Sequence, residues 1–231
     1  MCRLAAFPPK FPRQEALDIL TNFENGNIDG TGSVFVENGS FVVNKWPKPL
    51  KTVIKHHSFL DHMPYDGWTV AHLRSASHGG NSLHNTHPFV VGPWAIVHNG
   101  MWDDYKIVKL AMGDRIKTIG ETDSEVAAHL WNQSGPKKFA KTLESGGVFM
   151  GLNLNGELWV VKTTGDLEIK AIEDRLLLAS DLDYKKYDNC VKAFSGWYRF
   201  DSNGKYIKHK IIDRGFARFG NYVSHSYTYV D

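Results

Sequence analysis

A cysteine directly follows the first methionine of this 231-residue chain, in "MCRLAAF". Removal of Met1, usual ahead of a small residue, leaves Cys2 with both a thiol and the chain's own α-amine. An ordinary thiol titrates near 8.5 and an α-amine near 7.7–8.0, so the amine is a suitable base tethered to its nucleophile. That chemistry needs no histidine partner, but it needs a terminus that does not fray.

Three further stretches carry groups that fit beside such a nucleophile. In "TVAHLRSASHGG", residues 69–80, a β-rich run ends on Arg74 and enters a loop of small residues. An arginine fork at a strand end suits a carboxylate, although an ordinary surface arginine has the same pattern. In "WAIVHNG" an apolar run stops at Asn99-Gly100, which reads first as a hairpin turn. The same pair can also set a side-chain amide beside a backbone N–H, the two donors an oxyanion hole needs. Asp123 opens the helix of "ETDSEVAAHLW", where the helix dipole alone favours a carboxylate. A functional Asp123 stays ionised there and can bind an ammonium group.

Eight of the eleven histidines fall between residues 56 and 98. Their spacing does not match helical ligand pairs, and no Cys pair or carboxylate motif accompanies them, so no metal site is expected. His72, His78, His87 and His98 read instead as structural residues or supports behind the site.

These groups must be positioned by strands. Runs at 3–7, 68–74, 94–98 and 176–180 have strand character. "GSVFVENGSFVVNKW" turns at Asn38-Gly39, "FMGLNLNGELWVVK" at Asn155-Gly156, and "GWYRFDSNGKYIKHKII" more loosely at 201–204. Helices are expected at 13–24, 48–62, 103–112, 122–133 and 136–145. Thr122 and Glu125 stand at capping-box spacing. Strands come in runs and helices in groups, which favours an α+β layered fold.

Hydrophobic content of 42% and aromatic content of 13% are ample for a core. A formal charge of +2 argues for neither nucleic acid nor anionic membrane. The one local exception is "KYIKHKIIDRGFARFG", residues 205–220, with five Lys/Arg against one Asp, a solvated tail or a docking surface for an acidic partner. Only Cys2 and Cys190 exist, so no disulfide framework holds the chain. The start lacks a signal peptide, and no apolar run approaches the roughly 18 residues of a membrane span. A cytoplasmic, reducing location is expected.

The N-terminal "MC", the His-x-Arg of "AHLRSASHG", "NTHPF", "HNG" and "TDSE" occur in an order and spacing that resemble the class II glutamine amidotransferases. These are the N-terminal-nucleophile glutaminase domains found in glucosamine-6-phosphate synthase and amidophosphoribosyltransferase. The resemblance covers roughly residues 2–200, and the segment 147–181 looks like the family's second sheet. It implies a four-layer α/β/β/α sandwich, spanning residues 2–231 as a single domain. It implies Cys2 as nucleophile with its α-amine as proton shuttle, and Asn99 with the Gly100 N–H as oxyanion donors. Arg74 would hold the α-carboxylate of L-glutamine, Asp123 its α-ammonium, and Ser77 would add a substrate contact. The small-residue segment 74–82 would serve as a lid.

Departures from the family pattern accompany this likeness. Ser75 stands where synthase-type members commonly carry Trp, and "NGNIDGTGSVF" lacks the Arg-Gly that often precedes the second strand. No synthase domain follows before residue 231, so a separate ammonia-accepting protein is expected. "GETDSE" and "NTHPF" look closest to stand-alone members. The function implied is a cofactor-free glutaminase-type amide hydrolase. A γ-glutamyl peptide hydrolase with the same thioester chemistry is the nearer alternative, and a non-catalytic docking subunit the more distant one.

Overall fold

The structure, a computed structural model, describes residues 1–183 and 186–212. The second half of the basic 205–220 stretch lies outside the described residues.

In chain order the elements are β1 (Arg3–Phe7), α1 (Arg13–Phe23), β2 (Gly30–Glu37), β3 (Ser40–Trp46), α2 (Leu50–His56), β4 (Thr69–Arg74), β5 (Phe89–Val91) and β6 (Trp94–Asn99). There follow α3 (Tyr105–Met112), α4 (Asp123–Ser134), α5 (Pro136–Thr142), β7 (Val148–Asn153) and β8 (Leu158–Lys162). The last described strands are β9 (Glu168–Ile172), β10 (Arg175–Ala179), β11 (Val191–Lys192), β12 (Gly196–Phe200) and β13 (Tyr206–Ile211). They form a seven-stranded sheet, β11-β9-β10-β1-β4-β2-β3, and a six-stranded sheet, β13-β12-β8-β7-β6-β5. Every pairing is antiparallel.

The period-two alternation of the strands builds the layers. Along β1, Leu4 and Ala6 face the other sheet, while Ala5 and Phe7 face α1 and α2. Along β6 and β7, Val97 and Met150 point between the sheets, while Ile96 and Phe149 meet α4 and α5. The chain is therefore an α/β/β/α sandwich with three apolar seams. Each large side chain fully buried in a seam contributes about 1.5–3 kcal/mol relative to exposure.

Several elements depart from expectation. The helix expected over 48–62 is only α2, because His57 turns to extended backbone. Trp46 stacks on His57 at 4.9 Å and meets Phe59 edge-on, so the chain leaves the helix to bury Phe59 and Leu60. The segment 147–181 does not belong to one sheet. β7 and β8 lie in the six-stranded sheet, whereas β9 and β10 cross to the other and pair β10 with β1. Asn99-Gly100 is no hairpin turn, since β6 pairs with β5 and β7 and the chain continues into α3. The capping box is half made: Thr122 Oγ1 accepts the Glu125 N–H at 3.2 Å. The Glu125 carboxylate instead accepts from Ile119 N and Gly120 N, at 2.9 and 2.8 Å, and so fixes the loop before α4.

Candidate active site

β1 lies in the middle of its sheet, paired with β4 and β10. The Leu4 N–H donates to Ser180 Oγ at 3.0 Å, and Ser180 N–H donates to Leu4 O at 2.9 Å. The chain is thus clamped two residues after Cys2, and a clamped terminus does not fray. Cys2 Sγ sits 3.4 Å from both the N–H and the carbonyl oxygen of Ser75. Burial pushes the thiol above its ordinary range, opposed by the Ser75 N–H and by nearby positive charge. A buried, neutral thiol needs a base at the moment of attack.

Cys2, Arg74, Ser77, Gly100 and Asp123 line one cavity, from the ends of β1, β4 and β6 and the start of α4. Its free space is only about 10 Å³, room for a single water, because the 75–82 loop folds over it. Arg74 is 2% exposed and donates to the carbonyl oxygens of His78, Gly79 and Gly80, at 2.7, 3.2 and 3.2 Å. Among the described residues it forms no salt bridge. Nη1 also donates to Asn81 Oδ1 at 3.4 Å, and a buried guanidinium satisfied by neutral dipoles alone is electrostatically suited to an incoming carboxylate. Asp123 is also buried; Oδ2 accepts the Trp102 N–H and Oδ1 the Ser124 N–H, both at 2.9 Å. Those bonds leave lone pairs on each oxygen for an ammonium group.

Gly100 has a steric reason to be glycine. A Cβ there would stand 1.9 Å from Gly146 O, and one on Gly147 would stand 2.2 Å from Asn99 O. Two bare backbones therefore pass in contact beside the Cys2 cavity. Asn99 does not border the Cys2 cavity. It lines a neighbouring one, with Gly100 as the shared wall. Its Nδ2 donates to Ser180 Oγ at 3.1 Å, leaving a second amide hydrogen free.

The histidines pack behind this wall. His98 Nε2 donates to Gly146 O at 2.6 Å, so neutral Nδ1 accepts from Ser124 Oγ at 2.9 Å. His72 Nε2 donates to His98 O at 2.9 Å, and the His72 and His87 rings lie 3.9 Å apart. Burial holds His72 down to about 3 and His87 well below its ordinary value. His78 sits in the loop, its ring against Tyr105 at 5.4 Å. Among the described residues, no group of three or more His, Cys, Asp or Glu is placed to hold a metal ion. No described helix is long and apolar enough to cross a membrane.

The buried imidazoles have a consequence for stability. Their folded-state values lie below the unfolded value near 6.5, so the unfolded chain binds more protons between about 3 and 6.5. Stability is full above that window and falls as pH drops through it. At about 1.4 kcal/mol per unit, His72 alone should cost a few kcal/mol by pH 4. Urea midpoints at pH 7.5 and 4.5 should therefore diverge, and a folded His72→Gln protein should show a smaller gap. An unchanged gap would assign the acid lability to other groups.

Sequence reasoning missed Ser180, Ser124 and Asp29. Asp29 accepts from Ala76 N at 2.8 Å and Asn81 Nδ2 at 3.3 Å, tying down the loop. Ser124 lies inside the quoted "TDSE" with no role assigned to it there, and Asp29 and Ser180 stand in no recognisable spacing.

A four-layer sandwich with a cysteine at residue 2 held by a central strand defines the N-terminal-nucleophile class of fold. A family model described as class-II glutamine amidotransferases matches residues 15–146, more than half of the chain, and the chain belongs to that family. The glutamine–fructose-6-phosphate aminotransferase of Aquifex aeolicus is 32% identical over 117 residues, 49% of this chain and 19% of that protein. The enzyme of that name from Escherichia coli O6:H1 is 40% identical over 73 residues, 31% of this chain and 12% of the relative. The chain thus matches a fifth or less of these curated relatives. Among solved structures, the PRPP amidotransferase of B. subtilis aligns with TM-score 0.69 at 17% identity, over 91% of this chain and 49% of that one. A class-II domain protein from Silicibacter pomeroyi aligns with TM-score 0.61 at 17% identity, over 88% and 96%.

Proposed function

We propose that the chain, as one domain over residues 2–231, hydrolyses the γ-amide of L-glutamine through Cys2. The observation that carries this reading is the convergence of Cys2, Arg74, Gly100 and Asp123 on one cavity, with Arg74 buried and forming no salt bridge among the described residues. The Cys2 amine takes the thiol proton as sulfur attacks the γ-carbon. The Gly100 N–H and the Asn99 amide stabilise the oxyanion. The amine returns the proton to nitrogen, the C–N bond breaks, and ammonia leaves. Water then cleaves the γ-glutamyl thioester, giving glutamate and the free thiol. The 75–82 loop opens to admit substrate, and Arg74 exchanges the loop carbonyls for the substrate carboxylate. A separate acceptor protein consumes the ammonia in a reducing compartment, and no cofactor takes part.

The test uses C-terminally tagged protein with its terminus verified by intact mass. Glutamate release from glutamine should be measurable, with Cys2 alkylation abolishing it. Removing one partner of a desolvated charge pair costs about 2–5 kcal/mol, so Arg74→Ala should raise KM for glutamine at least tenfold. A folded Arg74→Ala protein with normal KM would remove Arg74 from the substrate site. Absence of glutaminase activity in the verified mature protein would sink the whole reading.

A further inference from the structure

Gly80 O, in the loop over the cavity, accepts from two donors: Arg74 Nη1 at 3.2 Å and Asn85 Nδ2 at 3.0 Å. Asn85 is 3% exposed and opens "NTHPF", and it takes no part in the steps of hydrolysis above. Its Oδ1 accepts the Glu121 N–H at 2.8 Å, from the loop that leads into α4. One partner is a carbonyl and the other an N–H, so a single orientation of the amide serves both. Glycines let the two loops come this close. A Cβ on Gly79 would stand 2.5 Å from Nδ2, and one on Gly120 2.6 Å from Oδ1. The amide therefore ties the loop over Arg74 to the turn that sets Thr122 and Asp123.

The sharing of Gly80 O matters when substrate binds. A carboxylate reaches Arg74 only if the guanidinium leaves the carbonyls of His78, Gly79 and Gly80. Among the described residues, His78 O and Gly79 O have no other donor, whereas Gly80 O keeps Asn85. Asp29 holds Ala76 N and Asn81 Nδ2 independently of Arg74. With Arg74 on the loop, losing Asn85 costs Gly80 O one of two donors. With Arg74 on the substrate, it costs the only one.

We propose that Asn85 is the positioning residue that keeps the 75–82 loop closed over bound substrate once Arg74 has passed to the substrate carboxylate. It touches no reacting atom and acts through Gly80. Its effect on turnover rests on the glutaminase reading above, with the chemistry taking place under the closed loop. Its effect on the loop itself is open to measurement without turnover.

The experiment compares Asn85→Ala and Gly79→Ala with the parent protein, each as the mature full chain. Gly79→Ala aims a Cβ at Nδ2, leaves Oδ1 to Glu121, and covers the case in which Asn85→Ala does not fold. In both variants kcat for glutamine should fall about fivefold, the size of one neutral hydrogen bond, with KM unchanged or lower. That split is opposite to the one expected of Arg74→Ala. Amide hydrogen exchange over 75–82 should also quicken, and more so with saturating L-glutamate than without it. A raised KM at unchanged kcat, or equal quickening in both states, overturns the proposal. Slower turnover in Asn85→Ala, with Gly79→Ala at the parent rate, assigns Asn85 to the α4 side and overturns it too. A parent protein that hydrolyses no glutamine sinks the glutaminase reading. In that case glutamate protection of 75–82 that is lost in the variants still upholds Asn85, and absence of such protection overturns both.

Discussion

A chain that keeps Met1, or carries a tag ahead of it, should fold normally and hydrolyse glutamine at least a hundredfold more slowly than the chain beginning at Cys2. Burial raises the Cys2 thiol above its ordinary range, so little preformed thiolate exists near neutral pH. A base must take the proton during attack, and the histidines are poorly suited to do so. His98 commits Nε2–H to Gly146 O and Nδ1 to Ser124, while burial depresses His72 and His87. The α-amine remains, and acylation by Met1 turns it into a peptide nitrogen without a usable lone pair. Positioned general acid–base catalysis contributes about 10²–10⁴-fold, which sets the size of the loss. Met1 is 82% exposed, so retaining it should disturb no packing. The check is to prepare both tagged forms and compare intact mass, melting temperature and glutamate release. Cys2→Ser in the mature frame should also lose most activity, because a hydroxyl is the weaker nucleophile. Equal rates in the Met1-bearing and mature proteins would show that Cys2 does not work through its own amine.

The parts of this molecule that were legible in the sequence are those fixed locally. β1 at 3–7, the Asn38-Gly39 turn and the Thr122 cap follow from alternation, from residues that tolerate positive φ, and from a hydroxyl at a helix start. The φ values of 50° at Asn38 and 72° at Gly39 are those of a tight two-residue hairpin. Sheet membership was not legible. β9 and β10 follow β8 as one run of strand signals, yet a strand's pattern says which face is buried and not which sheet it joins. Residue types at the site stood out one by one, but their supports did not. Ser180 acts through a hydroxyl 176 positions from Leu4 and 81 from Asn99, and no local rule spans such distances. That Asn99-Gly100, taken alone, reads first as a turn has the same origin. An Asn-Gly pair signals a hairpin unless the backbone of Gly146 and Gly147 lies against it, which is a tertiary fact.

Asn99→Ala should lower kcat for glutamine by roughly 10²–10³ with KM little changed, the loss typical of one oxyanion donor. The geometry explains why the effect should fall on turnover. Asn99 closes β6 opposite Val148, is buried, and donates one amide hydrogen to Ser180 Oγ at 3.1 Å. Ser180 Oγ also accepts the Leu4 N–H at 3.0 Å, from the strand that carries Cys2. One hydroxyl thus fixes both the proposed donor and the strand that follows Cys2, so the second amide hydrogen is held rigidly. Neither charged group proposed to bind glutamine is altered, which is why KM should stay within a few-fold. Ser180→Ala provides the companion measurement. It leaves the buried Leu4 N–H without its side-chain partner, at about 1–3 kcal/mol in stability. It should also lower kcat by less than Asn99→Ala, because the amide survives but loses its anchor. Melting temperatures and kcat are to be measured on both mature variants. An Asn99→Ala protein that melts earlier yet turns over at the full rate would make Asn99 a structural link between β6 and β10, and would leave the Gly100 N–H as the sole donor of the proposed hole.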